Sequence, residues 1–267
     1  MQVIDRGSGM PVVLMPGLQG RWEWMAPTVD ALAARCRVVT YSLCDEPSSG
    51  FPCDPDRGID NYFAQLDKVL DRAGLDQVVL IGVSYSGPIA AEFALRRPER
   101  VRALVLVSAL PTDWTLNPRA RFYLRAPWLL SPLFLLDAPT RALPEIRAAL
   151  PAVWQQLQFC AGQVSRAARA TVSPARMAAR LRWNEQHQFA DLTPLLQPVL
   201  VMTGEDDLDQ VVPPALTRRY LACVANARHQ VLARTGHLGL LTRPAEFAEL
   251  VCRFVDETSE NGRRATA

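Results

Sequence analysis

The chain has 267 residues, enough for one large domain or one domain carrying an insertion. Hydrophobic residues make up 49% and charged residues 21%, which provides a sizeable core and argues against global disorder. A net charge of +2 argues against a dedicated nucleic-acid binder.

The opening stretch "MQVIDRGSGMPVVLMPG" lacks a basic start, an apolar core and a small-residue cleavage site, so no secretory signal is read and a cytoplasmic location is expected. "PVVLMPG" (11–17) is the first expected strand. "WEWMAPTVDALAARC" (22–36) is expected to turn helical at Pro27, because proline is tolerated in a first helical turn. "CRVVTYS" (36–42) reads as a strand. "IDNYFAQLDKVLDRAGL" (59–75) reads as a helix with Tyr62, Leu66, Val69 and Leu70 on one face and Gly74 closing it. "QVVLIG" (77–82) and "RALVLVS" (102–108) are strands flanking a helix at 87–101 that starts near Pro88 and stops before Pro98.

Residues 112–190 contain no convincing strand and are punctuated by prolines. They read as several short helices inserted between two strands, that is, a cap. "PVLVMTG" (198–204) and "RHQVLAR" (228–234) are the last strands. "PAEFAELVCRFVDET" (244–258) is an amphipathic helix with Phe247, Leu250, Val251 and Phe254 on one stripe. The polar end, 258–267, is expected to be a flexible tail.

Most of these strands are continuously apolar, which suits burial on both faces of a parallel sheet. The expected fold is α/β: a mostly parallel twisted sheet with helices on both faces, formed by 1–111 and 191–257, plus the helical cap. The most apolar stretch, "APWLLSPLFLLDAP", is far short of a membrane span and holds Pro132 inside it. Six cysteines form no C-x-x-C pair and do not cluster with histidine, so no metal site is expected and buried free thiols are.

One motif points to chemistry. In Gly82-Val83-Ser84-Tyr85-Ser86-Gly87 a strand passes into a helix within a residue or two. Such a turn strains its central residue and needs small neighbours two positions away. Gly82 and Ser86 meet that need, and the turn lifts Ser84 clear of the sheet. A serine needs a base. Of the three histidines, His229 lies inside a strand pattern and His187 in the cap, whereas His237 follows the last strand on a strand-to-helix loop. His237 is therefore the expected base.

An acid must orient the imidazole. Glu205, Asp206, Asp207 and Asp209 compete on the loop after 198–204. Counting forward from Gly204 favours Asp207. Counting back from "QVVPP" favours Asp209, which is preferred because the helix start constrains the loop more tightly than the strand end. Two backbone N–H groups are expected to form an oxyanion hole: Leu18, after Pro16-Gly17, and Tyr85, next to the serine. Trp22 and Trp24 either line the pocket or anchor the first helix.

These features resemble the α/β-hydrolase superfamily over nearly the whole chain, most closely its esterase, lactonase and haloperoxidase-like members. The resemblance rests on "GVSYSG", the serine–acid–histidine order, the Gly-His near the C-terminus and the helical insertion after "LVLVSAL". Two departures stand out. Pro16-Gly17 replaces the family's frequent His-Gly, and "LCDEPSSG" replaces its usual Asp-x-x-Gly-x-Gly. A serine rather than an aspartate at 84 does not point to haloalkane dehalogenases or epoxide hydrolases.

The resemblance implies a serine hydrolase of esters or lactones acting on a small, apolar substrate through an acyl-enzyme, with no cofactor. Alternatives are a ligand-binding or signalling protein on the same scaffold, or the same triad used for C–C cleavage, perhydrolysis or lyase chemistry. The expected partner is a small-molecule substrate, not nucleic acid or a membrane; a homo-oligomer is left open. In the cap, Trp128, Leu129, Leu130 and Leu133 to Leu136 either line an apolar pocket or glue the cap to the core. The arginines at 119, 121, 125, 166, 169, 176, 180 and 182 are read as a solvated face in preference to an anion site.

Overall fold

A computed structural model describes residues 1–116 and 118–265, with side chains apart from those of 119, 130–139 and 259–265. Seven strands form one sheet: β1 (Ile4–Arg6), β2 (Pro11–Met15), β3 (Arg37–Thr40), β4 (Val78–Val83), β5 (Val101–Val107), β6 (Val199–Thr203) and β7 (Ala227–Val231). Their spatial order is β1-β3-β2-β4-β5-β6-β7. Only β1, paired with β3, runs antiparallel; the remaining pairs are parallel. β1 was not expected. It is three half-exposed residues at the sheet edge, too short to show a period.

Helices α1 (Ala26–Ala33), α2 (Asp60–Ala73) and α3 (Ser86–Arg96) follow β2, β3 and β4. Four helices lie between β5 and β6: α4 (Pro118–Arg125), α5 (Pro127–Ala149), α6 (Val153–Arg169) and α7 (Pro174–Gln186). The C-terminal third adds α8 (Pro214–Thr217), α9 (Tyr220–Cys223), α10 (Gly239–Thr242) and α11 (Pro244–Ala265).

The inserted helices are longer than the prolines suggested. α5 runs 23 residues through Pro132, Pro139 and Pro144. An interior proline removes one N–H bond and crowds the preceding turn, which can kink a helix without ending it. By contrast Pro118, Pro127 and Pro174 do open helices. Among the described residues no helix is long and apolar enough to cross a membrane.

Helices cover both faces of the sheet, which is why β4 is buried along its whole length. On one face Leu66, Val69 and Phe93 of α2 and α3 pack with Leu80 and Leu104. On the other, Val29 and Leu32 of α1 and Phe247 and Val251 of α11 pack with Val79 and Val105. Phe247 has no exposed surface. Phe247→Ala is expected to lower the unfolding free energy by about 3–5 kcal/mol through lost burial and a cavity, read by urea denaturation. A loss near zero would mean that this layer is not packed as described.

Cys36 and Cys252 are buried with their sulfurs 3.4 Å apart, and Cys44 is buried too. Cys160 and Cys223 are exposed, contrary to the expectation of buried thiols. Cys160 lies on α6 and Cys223 at the end of α9.

The topology sets where chemistry can occur. From β2 the chain crosses to β3 on one side; from β4 it crosses to β5 on the other. The loops leaving the C-terminal ends of β2 and β4 therefore part, opening a crevice at a switch point. Register places Met15 beside Gly82, Val83 beside Val107, and Thr203 beside Val231, so these strands end at a common edge.

Candidate active site

Ser84 stands at the end of β4 with φ of +53°. This left-handed backbone is unfavourable for a residue with a Cβ. It is held by surrounding bonds: the Ser84 N–H donates to Val107 O (2.8 Å), and Ser84 O accepts from Gly87 and Leu110 (3.0 and 3.1 Å). Small neighbours are a steric requirement. A Cβ on Gly82 would lie 2.7 Å from the Ala90 Cβ, and one on Gly87 would lie 2.3 Å from the Ala109 Cβ. Ser86, which stands where a glycine is usual, uses its hydroxyl to donate to Pro16 O. The elbow is thereby tied to the loop after β2.

That loop is pinned again by hydrogen bonds from Gly20 N to Gly17 O (2.9 Å) and from Leu43 N to Gly20 O (2.7 Å). Gly17 lies close over the serine: a Cβ there would be 3.7 Å from Ser84 Cβ. The N–H of Tyr85 sits at the N-cap of α3, where no intrahelical acceptor exists. Among the described residues neither it nor the N–H of Leu18 meets an acceptor.

Asp209 and His237 come together from separate loops. Asp209 Oδ1 accepts the N–H groups of Val211 and Val212 (3.0 and 2.9 Å), which turns Oδ2 toward His237 Nδ1 at 3.3 Å. Two glycines allow the loops to touch. A Cβ on Gly236 would lie 2.4 Å from Leu208 O, and one on Gly204 would lie 2.4 Å from Thr235 O. The competing acids point elsewhere. Asp206 pairs with Arg218 at 2.9 Å, and Glu205 accepts the Arg234 N–H. Asp207 offers only its backbone carbonyl, to Gln210.

Electrostatics follow from this pairing. Burial opposes the Asp209 charge, but His237 and the two backbone N–H groups hold its pKa below 3.8. Burial likewise opposes an imidazolium at His237, yet the charge and hydrogen bond of Asp209, helped by Glu145, raise its pKa above 6.5. Val107, whose carbonyl holds the Ser84 N–H, lines a small crevice with Ser108, Gly204 and His237. Among the described residues no hydrogen bond closes between the Ser84 hydroxyl and His237. Such bonds are often long in unliganded sites and tighten with substrate. A hydroxyl beside backbone donors, with an imidazole oriented by a carboxylate, can carry out acyl transfer.

The other histidines lie apart. His229 on the edge strand β7 bonds Thr203 Oγ1 (2.9 Å), and His187 at the end of α7 bonds Glu92 (2.9 Å). Trp24 donates to Ala170 O (3.0 Å), tying the first helix region to the inserted helices, while Trp22 lies under Arg6.

The reading of the arginines as a solvated face fails at Arg180, whose side chain has no exposed surface. Nη1 donates to Leu18 O (2.7 Å), Nη2 to Glu46 Oε1 (2.5 Å), and Nε faces Asp45 Oδ2 (2.8 Å). Burial disfavours its charge, but Asp45 and Glu46 together raise its pKa. The guanidinium fills space at Gly20 (φ +73°), where a Cβ would lie 2.3 Å away. Here "LCDEPSSG" shows its use: it supplies the two carboxylates that receive Arg180. From sequence alone the signal was weak, one arginine among many. Arg180→Met would leave buried carboxylates with only Arg176 beside Glu46. We expect a loss of about 3–5 kcal/mol in urea unfolding; a loss below 1 kcal/mol would show the cluster to be solvated. In the apolar stretch of the inserted helices, Trp128 and Leu129 are 67% and 78% exposed. The side chains of Arg119, Leu130 and Leu133 to Leu136 lie outside the described residues.

A family model described as alpha/beta hydrolase fold matches residues 10–244. The 2-hydroxymuconate semialdehyde hydrolase of Pseudomonas sp. strain CF600 is 29% identical over 262 residues, covering 95% of this chain and 89% of that protein. Two solved structures share the fold: an esterase from Exiguobacterium antarcticum (TM-score 0.76, 20% identity, 95% of this chain and 94% of that one) and a bromoperoxidase from Bacillus anthracis (TM-score 0.76, 21% identity, 95% and 94%).

Proposed function

Because the chain belongs to the alpha/beta hydrolase family, we propose that it is a serine hydrolase of small ester or lactone substrates. Ser84 is the nucleophile, His237 the general base and Asp209 the orienting acid. The observation that carries this reading is the strained Ser84 backbone on an elbow whose edge also holds the Asp209–His237 pair. In the proposed course His237 takes the Ser84 proton as the oxygen attacks the carbonyl. The N–H groups of Leu18 and Tyr85 receive the oxyanion. The alcohol leaves with the proton from His237, and water activated by the same imidazole releases the acid.

Residues 112–190 act as a cap in this reading. Three bonds support it: Arg180 to Leu18, Trp24 to Ala170, and Glu145 to the N–H of Leu238 (2.9 Å). Each joins the insertion to a loop at the sheet edge. The likeness to a 2-hydroxymuconate semialdehyde hydrolase favours a second reading, the same residues acting on a carbon–carbon bond beside a carbonyl.

The test is a fluorophosphonate label followed by peptide mapping, together with a panel of nitrophenyl esters, lactones and β-diketones. Adduct on the Ser84 peptide and turnover of esters or lactones are expected. Turnover of diketones alone would favour the second reading. No adduct and no turnover would point to a ligand-binding protein.

A further inference from the structure

Glu145 is a buried acid that the mechanism above does not use. It sits near the end of α5, is 1% exposed, and reaches the loop that carries His237. Its Oε2 accepts the N–H of Leu238, the residue after the histidine, at 2.9 Å. Its Oε1 is buried without a hydrogen-bond partner. A carboxylate in such a place is unfavourable unless something gains from its charge.

The groups that face it explain the gain. From the loop after β7 come His237 and the N–H groups of Gly236 and Leu238; from the loop after β6 comes Asp209. Arg141, one turn earlier on α5, acts on the same imidazole with the opposite sign. Where it is ionised, above about pH 7, Glu145 adds negative charge behind an imidazole that must become cationic as the serine loses its proton.

We infer that Glu145 is a positioning residue for His237, a carboxylate carried on the inserted helix that fixes the histidine loop at Leu238 and strengthens the base when ionised. This rests on the hydrolase reading for its use in turnover, but the effect on the imidazole is independent of it.

A cost accompanies the arrangement. Burial lifts the Glu145 pKa to about 7. A carboxyl whose folded value is raised stabilises the fold fully below its unfolded pKa and loses that contribution as pH rises through 7. A site tuned for stability would use a neutral acceptor. Glutamine would still accept the Leu238 N–H, without the charge.

The experiment uses the full chain as wild type, Glu145→Gln and Glu145→Ala. The His237 imidazole is titrated by NMR, its signal identified by its absence in His237→Gln. Loss of the negative charge makes the imidazolium harder to form. The His237 pKa is expected to fall by on the order of 0.5–1 unit in both variants. The acid limb of kcat/KM for a nitrophenyl ester should move to lower pH by the same amount. For Glu145→Gln, kcat should fall about 3–10-fold with KM within about twofold, since a weaker base slows chemistry and not binding. Glu145→Ala also frees the loop, and a larger kcat loss is expected. Above pH 7 the thermal midpoint of Glu145→Gln should match or exceed that of wild type.

An unchanged His237 titration in both folded variants overturns the inference, whatever the activity. A shifted titration in a protein that turns over no ester supports it and counts against the hydrolase reading instead.

Discussion

Ser84→Ala is expected to lower kcat for a short-chain nitrophenyl ester by about 10⁵–10⁶-fold while leaving the fold intact. The size follows from removing the atom that forms the acyl-enzyme in the proposed course; the backbone donors and binding groups remain and sustain only a small residual rate. The fold should tolerate the change. Among the described residues the hydroxyl makes no hydrogen bond, and the residue is only 9% exposed on an elbow whose backbone bonds to Val107, Gly87 and Leu110 are untouched. Alanine keeps the strain at φ +53°. Ser84→Gly removes it and is expected to be more stable than wild type by about 1 kcal/mol, yet equally inactive. Loss of turnover without loss of thermal midpoint, with fluorophosphonate labelling abolished, is the expected pattern. Turnover within tenfold of wild type in either variant would falsify the nucleophile.

Asp209→Asn is expected to lower kcat by about 10⁴-fold, and Asp207→Asn to leave it within about twofold. The asparagine can keep its oxygen on the Val211 and Val212 N–H groups. Its amide then faces His237 Nδ1, a nitrogen that must donate if the other ring nitrogen is to accept the serine proton. The imidazole is driven into the wrong tautomer. The pH profile should move as well. Asp209 is a principal cause of the raised His237 pKa, so the acid limb of kcat/KM is expected above the ordinary histidine range in wild type and at lower pH in the variant. If Asp207→Asn shows the loss instead, the acid has been misassigned.

These two variants also mark how far the sequence carries. The elbow is legible because its demands are local. Small residues must surround a strained position, and Gly82, Ser86 and Gly87 stand within five residues of Ser84 in a strand-to-helix pattern. His237 is legible for a similar reason, a histidine placed by the strand before it and the helix after it. The acid was harder. Four carboxylates lie within five residues, and which one faces the imidazole depends on a turn at Val211 and Val212 and on two glycine contacts with another loop.

Local order along the chain, the parallel strands, the covering helices and the serine on its elbow, belongs to the sequence, because periodicity and backbone sterics act over a few residues. Arg180 and Glu145 belong to the tertiary structure. In the sequence they are two charges in a basic, proline-rich insertion; in the fold they reach Leu18 and Leu238 across 162 and 93 positions. Which charges are buried, and against what, is decided when distant segments pack and exclude water. That desolvation turns ordinary charged side chains into partners of the site.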